Sequence, residues 1–464
     1  MLDASGRFSL PIHMPAGFPP GFFAAVQGWV FTPAGPYTFR LTTGMEMVIV
    51  AAGPANIFVD GDQAGPGTGT PYDPDSSIGA ALAAVPPGPV TVHVDDASTA
   101  PGAYVEVVDV PSNVHLLGDT WSSLSGARPV LHAPIDTSGP NARGSIGVVN
   151  AANVTLEHLE VRPSRKSLRV QSRCIGTNNA TNLVIRDCVL TGRARNTLTM
   201  RGIYLGQQSS ALVELCTITD LEVDPSAVGP TSHAAVLVGI QITGGQARST
   251  SAVVRNCRIQ NLLATPVPGI TFASVTGIDL FNVLDISIQN NVIGPIVLAQ
   301  GAADADLMGV NGFPNPNAAT AIHNNVVTRL STAARPGNVQ QVIGMNLDGD
   351  RMVNWNSVPF LLTNNIVSDL GTAVVNFRFE RGFSSPSSVP FPISYSCIDR
   401  VITPMGPSFV AGPNILVADP LLDPVNQSLQ TGSPCVGTGN PLLPPIFNMG
   451  IFGGPYAGPA GAGG

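Results

Sequence analysis

Three short stretches of this chain share one rhythm: "RDCVLTG" from residue 186, "RNCRIQNL" from 255 and "TNNIVSDL" from 363. Aligned on the residue before the Cys or Asn, the phrase recurs at His158, Asp187, Leu215, Asn256, Asn290, Asn324, Asn364 and Tyr395, in steps of 28 to 41 residues. Two residues before that position stand Leu156, Ile185, Val213, Val254, Ile288, Ile322, Leu362 and Ile393. Three residues after it stand Val161, Leu190, Ile218, Ile259, Ile293, Val327, Val367 and Ile398. Every member of both columns is aliphatic, and a period of this length marks a repeat architecture in which one supersecondary unit stacks on the next.

A second column lies upstream in each unit, in "SIGV", "CIGT", "GIYL", "GIQI", "GIDL", "GVNG", "GMNL" and "VVNF". Short β-branched segments separated by Gly, Asn and Pro turns predict rungs of a solenoid, not amphipathic helices. Composition agrees, since 50 Gly and 42 Pro against 11% charged residues describe a turn-rich chain. The strands are then expected to stack in parallel at about 4.8 Å per coil, like residue over like residue.

These units resemble the right-handed parallel β-helix repeats of the pectate-lyase-like superfamily, over residues 144 to 400. The fold expected is therefore all-β: a single-stranded right-handed parallel β-helix with an N-terminal helical cap and a small N-terminal β module. Residues 1–53 would be that module, 54–440 the β-helix with its cap, and 441–464 a closing segment with a flexible tail. In "IFVDGDQAGPGTGTPYDPDSSIGAALAAV" a short apolar helix is predicted, capped by Asp75 or Ser76. The cap resembles the entry of secreted β-helix proteins. "VADPLLDPVNQSLQTGSPCVGTGNP" and "NMGIFGGPYAGP" resemble their closing segments, with Gly437 or Thr438 where that pattern has an acidic residue. The resemblance implies an exported bacterial protein, extracellular or at the cell surface and monomeric.

The residue after the alignment position runs Leu159, Cys188, Cys216, Cys257, Asn291, Asn325, Asn365 and Ser396. It is expected at a bend between two strands, where stacked asparagines pass an amide hydrogen bond from coil to coil. The cysteines are expected to form a ladder of free thiols acting as small hydrophobes. No C-x-x-C pair or zinc-spaced histidine is present, so no metal knuckle is indicated. Asp60, Asp62, Asp73 and Asp75 lack the order of a calcium loop. No cofactor is expected, and Ca2+ has no motif behind it.

A net charge of -8 argues against nucleic acid as a partner. No stretch nears the roughly 20 apolar residues of a membrane span, and the N-terminus lacks the order of a signal peptide. Basic residues nevertheless concentrate between 162 and 201, at Arg162, Arg165, Lys166, Arg169, Arg173, Arg186, Arg193, Arg195 and Arg201, against Asp187 alone. Such a run suits either an anionic polysaccharide or a solvated loop face.

In the second column, the residue between two inward aliphatics points outward. Down the coils it reads Gly147, Gly176, Tyr204, Gln241, Asp279, Asn311, Asn346 and Asn376. Tyr204, Gln241, Asn311, Asn346 and Asn376, with Arg351, are the candidate polysaccharide-binding residues. A cleaving enzyme would draw its carboxylates from Asp279, Asp348, Asp350 and Glu380, with Arg378 expected on a rung next to Asp348, two residues beyond the row. Glycoside hydrolysis needs two carboxylates about 5 to 9.5 Å apart. The Gly-His-Gly and Arg-x-Lys elements of polygalacturonases do not occur on the repeats, and the one Asp-Asp pair, Asp95 and Asp96, lies near the cap. The leading expectation is thus a polysaccharide-binding β-helix. The alternatives are a polysaccharide lyase or glycoside hydrolase using late-coil carboxylates, and an adhesin or spacer without a ligand.

Overall fold

A computed structural model describes residues 23–30, 40–48, 55–63, 65–97, 102–122, 126–134, 144–163, 171–195, 197–225, 234–244, 250–265, 272–298, 304–314, 319–332, 340–347, 360–372, 378–384, 391–399, 403–405, 409–442 and 448–450. The chain divides into two units, Met1–Ala55 and Asn56–Gly464. In the first, Phe23–Val30 and Arg40–Val48 form an antiparallel pair with an irregularity between Val26 and Gly28.

The second unit is a parallel β-helix. Its main sheets have 10, 10 and 14 strands among the described residues, and their ladders are parallel. One coil shows the path. Ala234–Thr243 lies on a face we term A, Ser251–Arg255 on face B, and Arg258–Gln260 with Leu262–Ala264 on face C. The chain then returns to face A one coil further on.

Register follows the repeat. Leu156, Ile185, Val213, Val254, Ile288, Ile322 and Leu362 lie opposite one another along face B. Val161, Leu190, Ile218, Ile259, Ile293, Val327, Val367 and Ile398 do so along face C. Ile185, Val254 and Ile322 are fully buried and belong to one hydrophobic cluster running from Ile57 to Ile398. A single dry spine therefore holds the unit together, since neighbouring strands alone bury too little to be stable.

The bend from face B to face C has a backbone cause. His158, Asp187, Leu215, Asn256, Asn290, Asn324, Asn364 and Tyr395 all have φ between 47° and 59°. Asn, Asp and His tolerate this left-handed region better than other non-glycine residues, which explains most of the column. The following residue turns inward. Asn291, Asn325 and Asn365 are fully buried. The first two pass their amides on: Asn291 Nδ2 donates to Asn325 Oδ1 and Asn325 Nδ2 to Asn365 Oδ1, both at 3.0 Å. The same amides reach carbonyls of the preceding coil, at Val254, Ile288 and Ile322. In earlier coils the thiols of Cys188, Cys216 and Cys257 approach the equivalent carbonyls at 3.5 to 3.7 Å. All six cysteines are buried and unpaired. A hydrogen bond with Cys216 and then burial hold the Cys188 thiol well above its ordinary range, so it stays protonated.

Both ends are covered. Ile78–Ala83 is helical and places Ile78, Ala81 and Leu82 on the open N-terminal core. Its cap is Ser77, in place of the expected Asp75 or Ser76. The Ser77 hydroxyl accepts from Ala80 N at 3.1 Å, while Glu106 accepts from the amides of Ile78 and Gly79. At the other end, Cys435 and Met449 pack with Val326, Ile366 and Cys397 in a smaller cluster. The tail beyond residue 450 lies outside the described residues.

Candidate functional site

Face A carries the polar row, and its strands bend in the middle. Inward residues there are spaced two, three and two apart, as at Ala235, Leu237, Ile240 and Ile242. Gly202, Gly239, Gly277 and Gly309 fill the extra position. A Cβ on Gly277 would meet Ile293 Cγ2 at 2.5 Å and Gly309 O at 2.6 Å, so face C packs directly on this glycine column. Past the bend, alternation resumes and the next outward residue is the row.

Gly147, Gly176, Tyr204, Gln241, Asp279, Asn311 and Asn346 are register partners on successive coils. They are also joined chemically. Gln241 Nε2 donates to Asp279 Oδ2 at 2.7 Å, Asn311 Nδ2 to Asp279 Oδ1 at 2.9 Å, and Asn346 Nδ2 to Asn311 Oδ1 at 2.8 Å. Arg201 Nε donates to Gln241 Oε1, extending the chain to earlier coils. Asp279 is held by an amide on each oxygen, which fixes its plane and leaves lone pairs for a ligand. Two residues further along the same strand Phe281 is 42% exposed, an apolar surface beside the polar row.

The late end of the row departs from the sequence alignment. Met345 and Asn346 pair with Phe383 and Ser384, not with Val375 and Asn376. The expected position of Asn376 in the row is thereby corrected; Asn376 itself lies outside the described residues, as do Asp348, Asp350 and Arg351. Arg378 pairs with Gln340 and Glu380 with Val342. Arg378 therefore stands six residues before the row position Ser384, not two residues beyond the row. Glu380 shares the register of Leu237, Val275, Leu307 and Val342, which are fully buried. That register belongs to the core and not to the outer row. The glycine column held the missed signal: "RGFS" repeats the Gly-apolar-polar order of "GMN", so Gly382 continues Gly344.

Among the described residues the row holds one carboxylate, Asp279. A second acid on face A went unnoticed in the sequence. Asp306 pairs with Ser274 and Gln341 on adjoining coils, and burial, followed by the Asp304 charge, pushes its carboxyl up to about 6. It stands five residues before Asn311, roughly 15 Å along the strand, beyond the separation of a glycosidase pair.

Two arginines flank the early end. Arg173 and Arg201 are register partners, and Arg173 lies over the Tyr204 ring at 3.9 Å with Arg201 at 5.3 Å. Burial, then the charge of Arg173, pulls Arg201 down to about 10.

No group of three or more His, Cys, Asp or Glu among the described residues is arranged to hold a metal. Burial pushes the carboxyls of Asp60 and Asp75 above the ordinary aspartate range. A separate cavity of about 310 Å³ lies between face C and the closing segment, lined by Arg329, Asp369, Asp419 and Asp423 among others. There Asp423 Oδ1 caps the amides of Val425 and Asn426 at 2.8 and 3.0 Å, which is turn chemistry. No helix among the described residues is long and apolar enough to cross a membrane.

No protein-family model matches the chain, and no curated protein matches it. Among solved structures it is similar to a hyperthermoactive exopolygalacturonase from Thermotoga maritima, with a TM-score of 0.29 and 10% identity over 71% of this chain and 84% of that one. The chain is a parallel β-helix repeat protein. The strand ladders alone establish this.

Proposed function

We propose that this protein binds a polysaccharide along face A, in register with its coils. The observation that carries the reading is the continuous row Tyr204, Gln241, Asp279, Asn311 and Asn346, whose members are hydrogen-bonded from Gln241 to Asn346. Fixed amide and carboxylate groups about 4.8 Å apart offer one polar contact per sugar along an extended chain. An exposed aromatic face such as Phe281 suits the apolar side of a pyranose ring. Binding is favoured over cleavage because the described row supplies a single carboxylate where hydrolysis needs a pair. The proposal includes an extracellular or cell-surface location for a monomeric bacterial protein, and rests there on the likeness of its entry and closing segments to those of secreted β-helix proteins.

A glycan array followed by calorimetric titration tests the reading. Asp279→Ala, which frees both neighbouring amides, is expected to weaken binding about tenfold while leaving the melting profile within a few degrees of wild type. Unchanged affinity in that variant, or no retained glycan on the array, would remove the proposal. Release of reducing ends or new ultraviolet absorbance from a bound glycan would replace it with an enzyme.

A further inference from the structure

Among the described residues, the basic run between 162 and 201 is not a single patch. Arg162 pairs with Glu160 at 2.9 Å, Arg186 with Glu214 at 2.6 Å, and Arg193 with Asp224 at 2.6 Å. Those charges are neutralised locally. Arg173 and Arg201 differ, because they stand on face A with neutral hydrogen-bond partners. Arg173 Nη2 and Arg201 Nη1 both donate to Gln171 Oε1, at 2.8 and 2.7 Å, and Arg201 Nε donates to Gln241. Among the described residues neither guanidinium donates to a carboxylate. Arg173 Nε is buried without a partner.

Two like charges on adjoining coils repel, and removing them partly from water adds to the cost. The fold holds them there through Gln171 and the Tyr204 ring. The nearest opposite charge in the row, Asp279, already accepts from Gln241 and Asn311 and lies two coils from Arg201. A pair of half-buried guanidiniums with spare donors is a fork for a planar or tetrahedral oxyanion.

We propose that Arg173 and Arg201 together bind an anionic substituent of the glycan, a carboxylate or a sulfate ester, and so fix where along face A the chain begins its contact. The site rests on the binding role of the row, and it defines the early end of that row: anion at Arg173 and Arg201, ring contact at Tyr204, amides and Asp279 beyond.

The test titrates the full chain with three oligosaccharide probes of equal length: a polyuronate, a sulfated galactan and a neutral galactan. Wild type is expected to prefer one or both anionic probes, with affinity falling as salt is raised. Arg173→Gln and Arg201→Gln should each weaken the anionic probe about tenfold, and Arg173→Gln should leave the neutral probe within about twofold. Arg173→Lys, which keeps charge without the fork, should fall between. Preference for the uronate or for the sulfated probe identifies the substituent. Anionic affinity unchanged in both glutamine variants, or wild-type preference for the neutral probe, overturns the arginine site and leaves the row standing. Absence of binding to every probe overturns both. Should a glutamine variant fail to fold, a wild-type anionic affinity that does not respond to salt overturns the site on its own.

Discussion

Asn256 shows how one backbone dihedral can explain a repeated letter. Its φ of 55° lies in the left-handed region, and its side chain makes no hydrogen bond among the described residues. Asparagine is there for its tolerance of that region, where other L-residues lose roughly 1–2 kcal/mol. We expect Asn256→Ala to destabilise the coil by about 1 kcal/mol and Asn256→Gly to be the milder change, the reverse of the usual order; chemical denaturation of the three proteins checks this. Asp306 gives the second prediction at this scale. Its folded pKa of about 6 stands above the usual 3.8, so between these values the native state holds more proton than the unfolded one. Stability therefore falls as pH rises from about 4 to about 6. Asp306→Asn should raise the melting temperature at pH 8 and change it little at pH 3.5. An equal gain at both pH values would assign the effect to packing instead. Asp187 has the opposite sign: hydrogen bonds from His158 and Arg128 outweigh its burial and hold it low, so its contribution is lost in acid.

At the scale of the element, face A depends on its glycines. Alternation along a strand would put inward residues two apart throughout, and the glycine column inserts the one position that bends the strand over the core. Ile259 and Ile293 on face C fill the space that a Cβ on Gly239 and Gly277 would need. Gly277→Ala is expected to cost about 1–3 kcal/mol by overpacking, and also to weaken glycan binding because Asp279 lies two residues on. A substitution that is neutral in denaturation would mean that face C can withdraw. The register error at the last coils belongs to this scale as well. Units of unequal length let an aliphatic pair such as Val374 and Val375 imitate a rung in the sequence, while pairing with the previous strand selects Phe383 and Ser384.

The second unit is a stack of coils with a lid at each end. Val326, Ile366 and Cys397 lie on face C and are buried with Cys435 and Met449 of the closing segment. Asn440 N also donates to Asn364 Oδ1 at 2.7 Å, and Gly450 N to Asn364 O at 2.7 Å, tying that segment to a bend residue. Deleting residues 419–464 should expose an apolar stripe and two acceptors at once. The expected outcome is binding of a hydrophobic dye and lost amide-exchange protection in coils from about 320 onward, with earlier coils still protected, as nearest-neighbour coupling requires. Uniform loss along the chain would instead indicate one cooperative unit.

The sequence by itself determined the coil. Aliphatic columns at fixed offsets, an Asn or Asp before most bends and a polar residue between two inward ones suffice to write down parallel rungs, the buried amide ladder and the row from Tyr204 to Asn346, because stacking places equal positions over one another. Tertiary structure alone decided what the polar groups do. Whether an arginine meets a carboxylate, as Arg186 does, or a glutamine and a ring, as Arg201 does, depends on which face its strand occupies and on the neighbour above it. The Arg186–Glu214 and Arg201–Gln171 contacts join residues 28 and 30 positions apart, and units of unequal length hide that pairing from any local pattern.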